Sequence, residues 1–474
     1  MEKNFLYKTD TKIFFTIFLV YLFFISDYGG NWMADSLINS AMAFIDTGSF
    51  IIDDYIKAPQ DNAIFNGHYY SGFAPGASFL IMPLYIIIKP LLNLLPASIF
   101  GFPQLQFKVI IMNLLSTLFL TIPASAFLSV LIYKFLDNFT TRKRYKLLIT
   151  FFFAFGTIIF VHSTGFYRRP ITMFLAFLSF YLMYKIKNNQ IHPSPRILFL
   201  IGFLLGFSIF IEYSMFIVVC LLSLYLLTFL KNKKILWYGL GILIPLIALM
   251  VYHYYIFNDP FTTPYMHRAS PKAQSIQTFS DVLSINLSSE RVFELTFGLS
   301  RGLFISSPIL FLSLLGLFYF FGSKSKKNLL EIILIVLITF SYFLFNVSQV
   351  NIWEAGCSFG PRFMIPILPF LIIPLVFAFD KINMKFILLF GIMSIFINLL
   401  SVFYGITGLW RGVCGSSNPI KEYLSIFAER GITNYTLNLI KFKAFDISVF
   451  WMNVIAISGL CLLIFIISRI WKQK

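Results

Sequence analysis

Charge is what this chain has least of. Lysine, arginine, aspartate and glutamate make up 12% of its 474 residues, and only 20 residues are acidic, against about 25% charged residues in soluble domains. With 58% hydrophobic residues and a mean hydropathy of +0.82, that shortage excludes a soluble globular protein. The four cysteines stand at unrelated spacings, which excludes a zinc cluster. Cys220 and Cys461 lie inside apolar runs as small hydrophobes, while Cys357 and Cys414 fall in expected outer loops, where a disulfide is an option. There is no Walker loop and no dinucleotide fingerprint. The net charge of +17 is not matched by any basic run interleaved with aromatics, so nucleic acid is excluded as a partner. In a multispanning protein such an excess belongs to cytoplasmic loops.

What is present is a succession of apolar runs. The first, Ile13 to Ser26, is followed by Asp27 and Tyr28 rather than by a cleavage site, which predicts a retained anchor. Further candidate spans are 108–135, 147–163, 170–185, 197–211, 213–230, 235–256, 303–321, 329–347, 362–379, 385–404 and 448–468. Together they predict an all-α polytopic membrane protein of about 12 transmembrane helices, forming a single domain over 1–474.

One more run, Ser78 to Leu94, decides the topology. If it spans, the cluster Arg142, Lys143, Arg144 and Lys146 falls opposite the N-terminal lysines, and every later loop inverts. If it lies in the interface or re-enters, as Pro83, Lys89 and Pro90 allow, all basic turns share one side. The positive-inside rule selects the second arrangement. Both termini are then cytoplasmic, and the long loops 27–107, 257–302, 348–361 and 405–447 face outward, away from ATP and nucleotide sugars.

The first outer loop holds six of the acidic residues: Asp27, Asp35, Asp46, Asp53, Asp54 and Asp61. Leu37, Ile38, Ala41, Met42, Phe44 and Ile45 recur at helical spacing and Gly48 closes the pattern, predicting a helix on the outer leaflet. Asp35 at its start is a candidate general base, or simply its N-cap. The adjacent pair Asp53 and Asp54 suits a metal or, better, a loop anchor. His68, Tyr69 and Tyr70 offer hydrogen-bond donors beside them on a glycine-broken stretch predicted to be an ordered loop. Cations at the outer ends of spans break the inward bias: Arg168 with Arg169, Arg301 and Arg362. Snorkelling accounts for such arginines, but a guanidinium fork also matches a phosphate. Glu212, between two spans, must face protein or water, and the exposed tip of a helical hairpin would serve.

Taken in order, IDTGSFIIDDY, DNAIFNGHYYSGFAPGASFLIMPLY, YHYYIFNDPF, SRGLFISSPILFLSLLG and GCSFGPRFMIPILPFLIIPL resemble the pattern of bacterial GT-C superfamily membrane glycosyltransferases. That class includes protein O-mannosyltransferases and the lipid A aminoarabinose transferase. The resemblance implies inverting transfer of a sugar from a polyprenyl-phosphate donor to a glycan, lipid or protein acceptor on the extracytoplasmic face of the cytoplasmic membrane. It implies Asp35 as base and Arg301 and Arg362 as holders of the donor phosphate. By their own chemistry Arg168 joins those cations as a candidate, and Asp53, Asp54, His68 and Tyr69 are candidates for the acceptor side. No metal ligand set is assigned, and dependence on a divalent ion such as Mg or Mn stays open. The chain departs from the pattern at SGFAPG, which carries no lysine, and after the first span, which lacks an adjacent acidic pair. A glycan polymerase or ligase and, from another class, a transporter are the rival readings.

Overall fold

The computed structural model describes residues 8–26, 31–56, 61–99, 102–268, 287–323, 327–349, 356, 358–405, 416–433 and 448–472. Asp27, Cys357 and Cys414 lie outside the described residues. The fold is predominantly helical. Six helices are long and apolar enough to cross a membrane: Gly76–Asn93, Gln104–Asn138, Ile235–Phe257, Leu329–Ser348, Met384–Tyr404 and Val449–Lys472. Shorter apolar helices cover Pro195–Ile211, Met215–Phe229 and Ile309–Gly322. Helix α1 is Thr9–Phe23, and Arg168–Lys187 is a further 20-residue helix.

Three of the predicted spans are not single helices. The run 362–379 carries Pro366, Pro369 and Pro374, and it folds as a 3-10 turn Arg362–Ile367 followed by the four-residue helices Leu368–Leu371 and Leu375–Ala378. Proline removes a donor and collides with the preceding turn. The run 303–321 breaks at Pro308, and 147–163 breaks after Gly156.

The first outer loop contains helix α2, Trp32–Thr47, ended by Gly48 at φ 73°. Its N-cap is Asn31, whose side chain accepts from the Ala34 amide, so Asp35 lies one turn inside and is free of that duty. The segment after α2 is not all helix and loop, as an all-α fold would have it. Strands β1 (Asn62–Phe65) and β2 (His68–Ser71) form an antiparallel hairpin, turned by Asn66 and Gly67, both at positive φ. This is the Asn-Gly pair that two-residue hairpins favour. Helix α3, Gly76–Asn93, then packs beside α2. Asp46 near the end of α2 accepts from Tyr55 (2.8 Å) and Tyr85 (3.0 Å) and pairs with Lys89 (2.7 Å). Burial pushes the Asp46 carboxyl up, but these hydrogen bonds and the lysine charge outweigh it and hold it below the ordinary value.

Side-chain contacts sort the helix ends into two sets. At one end Lys134 pairs with Asp10 (3.0 Å), Arg142 with Asp380 (2.7 Å), Lys187 with the buried Glu331 (2.6 Å), and Lys146 with Asp137. There Trp471 Nε1 also donates to Thr16 (2.9 Å), laying the last helix along the first. At the other end the Ser26 amide donates to Thr164 O (2.8 Å), Asn31 Nδ2 to Phe166 O (3.3 Å) and Asn398 Nδ2 to Ser306 O (2.8 Å). The basic turns thus share one end.

Both ends of α3 lie at the second end. Gly76 sits so close to the end of helix Pro195–Ile211 that a Cβ there would stand 2.7 Å from the Phe210 carbonyl. At the other terminus Gln104 and Lys108 donate to Leu95 O (2.6 Å) and Asn93 (2.8 Å). Helix Gln104–Asn138 runs antiparallel to α1, with Lys134 beside Asp10 and Phe127 against Phe14. Its first dozen or so residues therefore extend past α1 by about 20 Å at 1.5 Å per residue. Length and composition alone allow α3 to cross a membrane, but its contacts keep both of its ends on one side of the bundle.

Helices Pro195–Ile211 and Ile235–Phe257 approach more closely than any side chain would permit. A Cβ on Gly202 would lie 2.1 Å from Tyr238 O, and one on Gly241 would lie 2.2 Å from Phe199 O. The two backbones touch, which is the packing small residues provide between apolar helices.

Candidate active site

Four arginines converge at the second end. Arg168 and Arg169 open the helix Arg168–Lys187, Arg362 opens the 3-10 turn, and Arg268 follows the short turn Pro264–His267. Arg168 is 2% and Arg169 4% exposed. Arg168 Nε donates to Glu212 (2.6 Å) and its Nη2 to the Tyr265 hydroxyl (3.2 Å), while Arg169 lies 3.5 Å from the same carboxylate. Glu212 is therefore a buried counter-ion and not an exposed hairpin tip. Arg268 reaches Asp61 at 3.4 Å, and the Ala63–Arg268 bridge ties it to the hairpin. Arg362 has no carboxylate within ion-pair distance among the described residues, and its field is felt by Arg169, Arg168 and Asp61.

Aromatic rings separate the guanidiniums. Phe73 lies under Arg168 (4.6 Å) and Arg268 (5.3 Å), Tyr265 under Arg268 (4.6 Å), and Phe363 under Arg169 (4.6 Å) and Arg362 (5.7 Å). Four cations against two carboxylates leave the cluster with a net charge of +2. Arg168 Nη1 and the Nε atoms of Arg169, Arg268 and Arg362 are buried and find no hydrogen-bond partner among the described residues. Buried charge is stable only when paired, and a guanidinium fork matches an anion with several acceptor oxygens.

Asp35 approaches from α2. The Asn31 cap touches the Phe166 carbonyl two residues before Arg168, and Asp35 follows one turn, about 6 Å, later. No side chain among the described residues hydrogen-bonds it, and burial pushes its carboxyl up to about 7. A carboxylate poised near neutral pH suits proton abstraction.

The other predicted residues fall elsewhere. Asp53 is an anchor: its oxygens accept from the Tyr69 amide (2.7 Å) and meet His68 Nδ1 at 2.7 Å, in a half-exposed pair at the hairpin. Asp54 is exposed. Arg301 is buried, and its guanidinium donates to the carbonyls of Ser358 and Gly356. It holds the loop that leads into Arg362, gripping Gly356 beside that arginine. Arg268 and Asp61 were not singled out by sequence, although Arg268 breaks the inward charge bias as Arg168 does. Among the described residues no group of three or more His, Cys, Asp or Glu could hold a metal ion.

Fold and cluster together define a class of architecture: a many-helix apolar bundle with a cationic cluster at one end. No protein-family model and no curated protein matches the sequence. Among solved structures the chain is similar to ArnT from Cupriavidus metallidurans in the apo state (TM-score 0.44, 11% identity, 78% of this chain and 59% of that one). It is similar also to the same protein bound to undecaprenyl phosphate (0.45, 12%, 79% and 60%). A third is the archaeal oligosaccharyltransferase AglB from Archaeoglobus fulgidus in complex with an inhibitory peptide and a dolichol-phosphate (0.41, 12%, 84% and 55%). The chain covers about three-fifths of the length of these structures.

Proposed function

We propose that this protein is a polytopic membrane glycosyltransferase. In this reading it takes a sugar from a polyprenyl-phosphate donor and passes it to a glycan, lipid or protein hydroxyl on the extracytoplasmic face, with both termini in the cytoplasm. The observation that carries the proposal is the cluster of the buried Arg168 and Arg169 with the partly buried Arg268 and Arg362, each with a donor unpartnered among the described residues, at the end of the bundle opposite the basic turns. A cationic cluster there faces away from soluble nucleotides and toward lipid-borne phosphates. In the same orientation α3 stays in the outer leaflet beside α2, with Phe79, Ile86, Ile87, Leu91 and Leu94 turned out toward lipid.

The reaction is a single displacement. The acceptor oxygen forms a bond to the anomeric carbon as Asp35 takes its proton, and the bond from that carbon to the phosphate oxygen breaks. The electron pair leaves with the polyprenyl phosphate, whose added negative charge the arginines stabilise. One displacement inverts the anomeric centre. Arg301 acts through the loop it holds, as a positioning residue for Arg362.

The test is binding of undecaprenyl phosphate to the purified protein in nanodiscs, alongside sugar transfer from a membrane lipid extract. Saturable binding that is lost in Arg362→Ala, with transfer lost in Asp35→Asn, is expected. Absence of binding by the wild-type protein, or full transfer by Asp35→Asn, overturns the assignment.

A further inference from the structure

A cleft that the proposed chemistry does not use runs into the bundle from the end that carries the arginines. The helices Ile309–Gly322 and Leu329–Ser348 follow each other in the chain, and each packs on the proline-broken segment 362–378. Gly316 brings the first of them so close to that segment that a Cβ would stand 2.0 Å from Pro374 O, and Ser313 donates to Leu371 O. Between the two helices and the segment lies a cavity of about 300 Å³. Val336, Thr339 and Phe343 line it from one helix face, and Met364, Ile367 and Leu371 line it from the broken segment.

The cleft begins at the phosphate-binding end. Two of its lining residues, Leu303 and Met364, each follow an arginine by two positions, Arg301 and Arg362. From Phe343 it descends to Val336, about 10 Å at 1.5 Å per residue, away from the end where Asn398 holds Ser306 O. Phe340 on its wall is 57% exposed, so the cleft opens sideways to lipid. Only two lining residues carry a polar group: Thr296, whose hydroxyl donates to Val292 O (2.7 Å), and Thr339. Lipid tails are as apolar as leucine, so such a wall selects an occupant by shape and not through the hydrophobic effect.

We propose that this cleft receives the phosphate-proximal end of a single isoprenoid chain whose phosphate lies at Arg362, so that the protein reads the first isoprene units of its lipid carrier and not the carrier's length. The inference rests on the glycosyl-transfer reading and deepens it. Continuity with the cationic cluster selects a lipid phosphate, and the volume of the cleft over its length leaves room for one chain. A phospholipid hangs two acyl chains from its phosphate, whereas a polyprenyl phosphate hangs one. A depth of about 10 Å along the helix takes roughly two isoprene units, and the remaining units lie in the bilayer beyond Phe340.

The test is a binding series in nanodiscs with undecaprenyl phosphate, farnesyl phosphate, dioleoyl phosphatidic acid and farnesol, each affinity expressed per mole fraction in the bilayer. Farnesyl phosphate binds within about threefold of undecaprenyl phosphate, and phosphatidic acid does not compete. Thr339→Phe fills the cleft and weakens both isoprenyl phosphates by about tenfold or more, the effect of forcing a ring into occupied space. Val336→Phe does the same from the next turn and stands in if the first variant does not fold. Thr339→Val keeps the shape and leaves both affinities unchanged. Farnesyl phosphate with a diazirine on its second isoprene unit labels the peptides that carry Phe343 and Met364. If the filled variants keep wild-type affinity, or if farnesyl phosphate binds more than tenfold more weakly than undecaprenyl phosphate, the proposal is overturned while the transferase reading stands on the arginines. Competition by phosphatidic acid that Thr339→Phe abolishes overturns it in favour of a resident phospholipid. Farnesol binding that Thr339→Phe abolishes, without any binding of undecaprenyl phosphate, contradicts the transferase assignment and leaves the isoprenoid cleft standing.

Discussion

Arg168 is buried and Arg362 partly buried in one cluster, yet their removal has opposite consequences for stability. Arg168 shares Glu212 with Arg169 and donates to Tyr265. Arg168→Met strips the carboxylate of its nearer cation, and breaking a buried pair costs about 3–5 kcal/mol. Arg362 has no carboxylate partner among the described residues and feels the repulsion of Arg169 and Arg168. Arg362→Met removes an uncompensated, partly buried cation, so the fold is unchanged or more stable. Ligand binding moves the other way, because a charge-assisted hydrogen bond contributes about 1.5–3 kcal/mol, or roughly 10- to 150-fold in Kd. Thermal unfolding in detergent and titration with undecaprenyl phosphate read the two quantities separately. If Arg362→Met lowers Tm as far as Arg168→Met and keeps wild-type lipid affinity, the division into a structural and a ligand-binding arginine is wrong.

Other outcomes follow from single groups. Asp35, with its carboxyl raised to about 7, binds more protons in the folded than in the unfolded chain between about pH 4 and 7, so its contribution to stability falls as pH rises through that window. Asp35→Asn is then the more stable protein at pH 8, by at most about 4 kcal/mol, and a denaturation series at pH 5 and pH 8 that shows no difference in the mutational effect refutes this. Transfer activity rises with pH about an apparent midpoint near 7, and a flat kcat/KM profile from pH 6 to 8 would remove Asp35 from the base role. His68→Ala, which breaks a half-exposed pair with Asp53, costs no more than about 1 kcal/mol and leaves transfer intact; a loss of activity greater than tenfold contradicts the anchor role. Glu331→Gln at the opposite end leaves Lys187 and Tyr225 without their shared carboxylate and lowers Tm while undecaprenyl phosphate affinity stays constant.

Legibility in the sequence followed the range of the interaction. The apolar period of 37–45 and the terminal Gly48 are local signals, and α2 ends at that glycine. The three prolines at 366, 369 and 374 were equally visible, but hydropathy averaged over the window hid their effect on the backbone. Asp53 was expected to anchor a loop, but the Tyr69 amide it holds, 16 residues away, was not legible. The pairing of Arg168 with Glu212 spans 44 residues and two helices, and nothing in either segment names the other. Arg301 and Arg362 look alike in sequence, as isolated arginines at the outer ends of apolar runs. What separates them is the backbone carbonyls of Ser358 and Gly356, which lie within reach of Arg301. Arg268 was within reach of the same rule that singled out Arg168, and Asp61 gained its meaning only with it.

The backbone contact at Gly202 and Gly241 also bears on how the chain enters a bilayer. Two parallel apolar helices locked at that distance, with Met215–Phe229 between them in the chain, can partition as one unit, delivering the Glu212 and His253 ends to the far side together. A bulky residue at Gly241 would wedge the pair apart and tilt Glu212 away from Arg168, so a lesion deep in the hydrocarbon would be felt as a lost charge at the surface. Suppressors of such a lesion would be sought among smaller residues at Phe199 and Phe203 on the facing helix, not around the arginines.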